Sequence, residues 1–245
     1  MQQKFCIFYF QNALTVLKND LDAIPVTRQL VSKIPSALLE EAKETLKEIT
    51  GASFLYAPEF KHVYFGEQNL LIPSGVFEKD LAQSYFERMF IELPEDKALS
   101  IASIPSFAVH SLEAHPNWAK SFTKETFNHQ NSFSLFEFHL NLLADFKTKE
   151  TTFLLTLFAD TYFLGLVHDS KLLYAEALTY QNSDDILYTL LNVLQKNGLS
   201  MAKGTLWFGE ISDNNIKENL QDSLTKIQDF AAFTYQELER TMYFK

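Results

Sequence analysis

Residues Phe158 to Val167, FADTYFLGLV, read as a strand, a tight turn at Asp160-Thr161-Tyr162 and a second strand. A turn of this kind grips phosphate when its backbone N–H groups can close on the phosphate oxygens. Glycine permits that approach, because it reaches positive φ and has no side chain in the way. Asp160 and Thr161 are therefore candidate phosphate-binding residues, although the bulky Tyr162 stands where a glycine is wanted. An earlier turn, Gln11-Asn12-Ala13, holds neither Asp nor Gly and offers only Asn12. The commoner reason for an Asp in such a turn is conformational, since its short side chain bonds the neighbouring backbone.

The remaining candidates for chemistry are weaker. The chain has seven glycines, none adjacent or one apart, so no G-x-G-x-x-G exists. Gly204 and Gly209 have P-loop spacing, but Glu210-Ile211 replaces the Lys-Ser/Thr that supplies positive charge and a magnesium ligand. His110 and His115 are five apart and fit no single-face helical metal pair. His129 and His139 flank and enter an apolar helix, and His62 and His168 lie at strand ends, so no metal site is expected. IPSG around Ser74 is not a G-x-S-x-G elbow. Glu40, Glu41, Glu44 and Glu48 form a solvated helix face. Cys6 is the only cysteine, which excludes an intrachain disulfide, and its apolar run FCIFYF marks a buried, unreactive thiol.

Composition narrows the class. At 245 residues, 47% hydrophobic with 23 Phe, the chain can bury a substantial core. A formal charge of -10 argues against a nucleic-acid surface, and a candidate basic cluster, KTKE from Lys147, has only two lysines. No apolar run approaches the ~18 residues that span a bilayer, and FCIFYF is too short for a signal-peptide core. The expected address is the cytoplasm of a cell that keeps thiols reduced.

The elements that would position these residues occur twice. KFCIFYF, the turn QNA and LTVLK form a hairpin, AIPVTR a third strand, and Ser36 caps a helix that Gly51 ends. FLLTLFA, the turn DTY and FLGLVH repeat the hairpin. LLYAEALTY follows the turn DSK as the third strand, and Ser183 caps a helix with Asp184-Asp185 in its first turn and Gly198 at its end. Phe5 to Gly51 is 47 residues and Phe153 to Gly198 is 46, which points to duplication. Between the repeats the pattern predicts short strands in SFLYAPEFKHVYFG and NLLIP, and a helix near Glu78–Phe90. Strands in ALSIASIP and FAVHSLEA and a helix near Trp118–Phe127 follow. A largely buried helix near Phe133–Phe146 has Ser134, Glu137, Asn141, Asp145 and Thr148 as its polar stripe. The strand GTLWFG and a helix across NNIKENLQDSLTKI come last. The aromatics Phe54, Tyr56, Phe60, Tyr64, Phe65, Tyr85, Phe86 and Phe90 are mainly core, with a peptide-receiving groove as the alternative.

This duplicated plan resembles the core of the actin-like ATPase (ribonuclease H-like) fold. More narrowly, NLLIPSGVFEKDLAQSYFE, LLYAEALTYQNSDDILYTLLNVLQKNGLS and LWFGEIS resemble the uncharacterised bacterial domain-of-unknown-function family 3822, from about Phe5 to Ile227. The resemblance implies an α/β protein of two duplicated lobes with mixed sheets flanked by helices, residues 1–130 and 131–245, packed as one body. It implies no established activity. Actin-like ATPases hold phosphate with glycine- and Asp-containing hairpin turns and adenosine with a Gly-Gly pair. Here Gly209 is followed by Glu210, a poor neighbour for a nucleotide. If nucleotide binds, Asn12, Asp160, Thr161 and Gly209 should face one cleft. The expectation is a non-catalytic cytoplasmic binding or scaffold protein without a cofactor, engaging a protein or peptide partner or a second copy of itself. A divergent ATPase or phosphotransferase that still binds ATP is the alternative.

Overall fold

The computed structural model describes residues 4–20, 24–51, 59–66, 68–127, 131–146, 149–199, 203–211 and 216–244. Phe54, Tyr56, His129, Thr148 and Lys147 of the sequence reading lie outside them. The chain divides into two compact units, Met1–Phe138 with Tyr243–Lys245, and His139–Met242.

In the first unit the hairpin β1 (Lys4–Tyr9) and β2 (Ala13–Lys18) continues into β3 (Val26–Gln29), helix α1 (Pro35–Thr50) and β4 (Glu59–Tyr64). The segment β5 (Gln68–Pro73), α2 (Ala82–Phe90), β6 (Lys97–Ile104) and β7 (Val109–Pro116) follows, then α3 (Asn117–Phe127) and the short β8 (Ser132–Ser134). The main sheet runs β3-β2-β1-β4-β8, and β5-β7-β6 form a separate antiparallel sheet. β1 is antiparallel to β2 and parallel to β4, and β4 is parallel to β8. Phe5, Ile7 and Tyr9 alternate onto one face, under Leu38, Ala42 and Leu46 of α1 and Trp118 and Phe122 of α3. On the opposite face Phe8 meets Phe138 and Tyr243 edge-on, at 5.9 and 6.2 Å between ring centroids.

Helix α4 (Leu135–Asp145) carries the boundary between the units. It buries Leu135, Phe136, Phe138, His139, Leu140, Leu142 and Leu143, while Asn141 and Asp145 are exposed and Glu137 is half-buried. Asn141, Asp145 and the half-buried Glu137 are thus where the spacing placed them, whereas Ser134 is buried in β8. The second unit then repeats the first: β9 (Thr151–Leu157), β10 (Thr161–His168), β11 (Lys171–Thr179), α5 (Ser183–Lys196), β12 (Gly204–Glu210), α6 (Ile216–Leu224) and β13 (Phe233–Glu237). Its sheet runs β11-β10-β9-β12-β13, with the same antiparallel and parallel senses in the same order. Phe153, Leu155 and Leu157 face Ile186, Leu190 and Leu194 of α5 and Leu220 and Leu224 of α6. The duplication read from spacing is therefore a duplication of strand order.

Two caps differ from the sequence reading. α1 starts from Ile34 with Pro35 at its first position, so Ser36 lies inside the helix. Proline suits that position because its fixed φ is already helical and its missing N–H would have had no partner. α5 is capped by Asn182, not Ser183. The Asn182 side chain accepts from the Asp184 and Asp185 amides, and the Asp185 carboxylate accepts from Gln181 and Asn182. Gly51 and Gly198 do hold positive φ at the helix ends.

Gly204 opens β12 between two neighbouring strands. A Cβ there would lie 2.4 Å from the Thr151 carbonyl oxygen and 2.5 Å from a Phe233 ring carbon. The carbonyl cannot retreat without disturbing the parallel ladder, and the Phe233 ring is packed in the core. Gly204→Ala is expected to lower stability by about 1–3 kcal/mol in denaturant titration. Gly75→Ala, where nothing lies within 4 Å, should change it by less than about 0.5 kcal/mol.

Candidate functional site

Both hairpin turns are two-residue loops. In the first unit Tyr9 pairs with Leu14, the Phe10 amide donates to the Ala13 carbonyl at 2.9 Å, and Gln11-Asn12 make the loop. In the second, Leu157 pairs with Tyr162, the Phe158 amide donates to the Thr161 carbonyl at 2.8 Å, and Ala159-Asp160 make the loop. The turn therefore sits one residue earlier than DTY. Thr161 and Tyr162 belong to β10, where burial of the Tyr162 ring in the core fixes the register, and its hydroxyl donates to Thr189. Tyr162 does not occupy a glycine position in the loop.

The likeness extends to hydrogen bonds. The residue following the third strand donates its amide to the second loop carbonyl in both units: Leu30 to Asn12 at 2.7 Å, and Tyr180 to Asp160 at 3.0 Å. An aromatic side chain also closes each loop. The Trp118 indole donates to the Gln11 carbonyl at 3.0 Å, and the Tyr180 hydroxyl donates to the Phe158 carbonyl at 2.7 Å. Among the described residues the positive-φ positions are Gly51, Ile91, Ala108, Asn131, Asp169, Ser170 and Gly198, and none lies in either loop.

Gly209 lies in β12 opposite Thr156 of the parallel β9, and the Ile211 amide donates to Leu157 at 2.9 Å. The two strands run the same way, so Gly209 shares the end of the sheet that carries Asp160 and Thr161. Alternation against the core residues Leu157, Tyr162 and Phe208 puts Thr156, Thr161 and Gly209 on the opposite face from α5. The Thr156 and Thr161 hydroxyls are buried, with no hydrogen-bond partner among the described residues. Asp160 is exposed. Asn12 occupies the corresponding turn of the first unit.

The described histidines are all engaged in packing or hydrogen bonds. His62 Nδ1 meets the Tyr9 hydroxyl at 2.9 Å, His110 stacks on Phe77 at 4.1 Å, and His139 stacks on Phe163 at 4.6 Å. His168 Nδ1 lies 3.0 Å from the Thr151 hydroxyl. His115 packs on Tyr64, and burial pulls its imidazole down to about 4. Among the described residues no three His, Cys, Asp or Glu side chains group as a metal site would require. Burial pushes the Cys6 thiol up to about 12, so it stays protonated and unreactive.

One charged group escaped the sequence reading. Glu113, in the middle of β7, is fully buried and accepts from the Phe136 amide at 3.2 Å, in the first turn of α4. Leu112 and Ala114 on either side are core residues, so alternation gives Glu113 the reverse face of β7, ordinarily a solvated one. Burial raises its carboxyl to about 8, opposed by hydrogen bonds from Ser134 and the Phe136 amide. Between about pH 4.5 and 8 the folded state keeps a proton that the unfolded chain has released, so stability falls as pH rises through that window. His115 acts with the opposite sign, but only between its folded value of about 4 and its ordinary 6.5. From pH 6.5 to 8 the folded protein should therefore lose on the order of 2 kcal/mol through Glu113. Glu113→Gln should flatten that loss in urea titrations at the two pH values.

The fold relates the chain to proteins of known structure. A Bacteroides thetaiotaomicron protein described as having an actin-like ATPase fold and unknown function is 13% identical, with a TM-score of 0.73 over 99% of this chain and 95% of its own. The PilM–PilN type IV pilus biogenesis complex is also 13% identical, with a TM-score of 0.49 over 98% of this chain and 89% of that one. The ethanolamine utilization protein EutJ from Carboxydothermus hydrogenoformans is 8% identical, with a TM-score of 0.41 over 98% and 86%. No curated protein sequence matches. The first of these structures establishes the actin-like ATPase fold for this chain. Residues 7–227 match the model of the proteins of unknown function DUF3822, and the chain belongs to that family.

Proposed function

We propose that this chain is a non-catalytic binding or scaffold protein that keeps the actin-like fold with degraded nucleotide-binding turns. The observation that carries the reading is the state of the two loops. Phosphate capture in this fold needs backbone amides that converge on an anion, which glycine and positive φ make possible. Gln11-Asn12 and Ala159-Asp160 have neither, and their carbonyls are engaged by Leu30, Trp118 and Tyr180.

The net charge of -10 favours a protein or peptide partner over nucleic acid. The single buried thiol suits the cytoplasm, and no helix among the described residues is long and apolar enough to cross a membrane. The alternative, a divergent ATPase or phosphotransferase, is favoured by one observation. The buried, unpartnered hydroxyls of Thr156 and Thr161 flank the strand end that carries Gly209, and buried hydroxyls ordinarily find a partner.

Titration calorimetry with millimolar magnesium-ATP separates the two. The expected result is no saturable heat, and Asp160→Ala should change stability by less than about 0.5 kcal/mol because the residue is exposed. Saturable binding that disappears in Asp160→Ala would favour the enzyme reading instead.

A further inference from the structure

Helix α2 ends in strained backbone. The Ile91 amide donates to Glu87 at 2.8 Å and the Glu92 amide to Phe90 at 2.8 Å, which makes Ile91, at φ 73 and ψ -57, the centre of a γ-turn. This form of the γ-turn is rare and strained, and a β-branched side chain at positive φ is a steric outlier. Neither a glycine nor burial relieves it: Ile91 is 89% exposed. Strain held at an exposed apolar residue points to a use for that residue.

Ile91 does not stand alone. Ten large hydrophobic residues are exposed among the described ones, and four fall within residues 76–91: Val76 at 63%, Leu81 at 42%, Met89 at 61% and Ile91. Such clustering distinguishes a docking surface from scattered exposed side chains. Leu81 and Met89 are exposed and, with the half-buried Tyr85 between them, are spaced by four along one side; Tyr85 also packs on the core that Ala82 and Phe86 enter. The Tyr85 hydroxyl donates to the Val76 carbonyl at 3.0 Å, which joins the preceding turn to the stripe. Within residues 76–91 the exposed charges balance, Glu78 and Asp80 against Lys79 and Arg88, and the acidic excess comes from Glu92, Glu95 and Asp96 in the segment that follows Ile91.

We propose that the end of this stripe, Met89 with Ile91 just beyond the helix, docks a basic, apolar segment of another protein, its apolar side chains on Met89 and Ile91 and its Lys or Arg against the carboxylates of Glu92, Glu95 and Asp96. An apolar anchor strip followed by an excess of one sign of charge selects a partner by both features. The proposal rests on the reading of the chain as a binding protein and supplies its surface and the chemistry of its partner.

The test is fluorescence anisotropy of the full chain with a labelled synthetic amphipathic helix of leucine and lysine, and with its leucine-glutamate counterpart. The lysine peptide should bind and the glutamate peptide should not. Met89→Ser should weaken binding at least tenfold, and the double variant Glu92→Lys, Glu95→Lys should remove its salt dependence. The same reversal on α1, Glu40→Lys with Glu44→Lys, should leave both unchanged. Ile91→Gly is the sharpest variant, because it should raise the melting temperature while weakening binding several-fold. Absent binding, equal binding of the two peptides, or equal loss from the α1 variant would overturn the proposal. So would self-association, or partition onto anionic phospholipid vesicles, that Met89→Ser abolishes. Repeating the titration with magnesium-ATP separates the two claims. Nucleotide binding with the peptide still docked overturns the proposed function alone, and lost docking without nucleotide binding overturns the surface alone.

Discussion

The central strand of each five-stranded sheet is hydrogen-bonded along both edges and buried on both faces. β1 has the antiparallel β2 on one side and the parallel β4 on the other, and β9 lies between β10 and β12 in the same way. Every residue from Thr151 to Leu157 is buried. A strand so placed must be apolar on alternate residues of both sides, and its few polar side chains, such as Thr152 and Thr156, must be tolerated inside. It also requires a layer on each face. α5 and α6 cover one face of the second sheet, and on the other His139 stacks on Phe163 while Leu143 approaches Gly165 so closely that a Cβ there would lie 2.8 Å away.

This constraint fixes the geometry of the turns. Two strands locked into a buried ladder up to Tyr9–Leu14 and Leu157–Tyr162 leave only two residues to connect them. The third strand then brings Leu30 and Tyr180 onto the loop carbonyls. A loop so short, held from beside by backbone and aromatic donors, serves the sheet. The same economy explains why Asp160 and Asn12 recur at matching places without matching chemistry.

Much of this was legible in the sequence because it rests on periodicity. The paired 47- and 46-residue units, the terminal glycines of α1 and α5, and Glu137, Asn141 and Asp145 of α4 are local patterns, and each has its counterpart in the fold. What escaped depends on partners distant in the chain. The short β8 and β13 are strands because β4 and β12 already present a parallel edge. Glu113 is buried because the start of α4 supplies an amide 23 residues away. Of the four candidate site residues, Asp160, Thr161 and Gly209 share one sheet end, yet the loop is shifted by one residue from the expected turn. Hydrophobic alternation fixes which face Tyr162 takes only once its pairing with Leu157 is known. The strained Ile91 had no signal at all, since a γ-turn at a helix end is set by the chain that follows it.

In the proposed function the two turns are structural elements of the sheet and not phosphate grips. Backbone amide resonances of Asn12 and Asp160, followed by nuclear magnetic resonance during addition of magnesium-ATP to millimolar concentration, test this most directly. The account predicts that both signals stay in place. A saturable displacement of both would contradict it, since amides in both turns would then be closing on nucleotide.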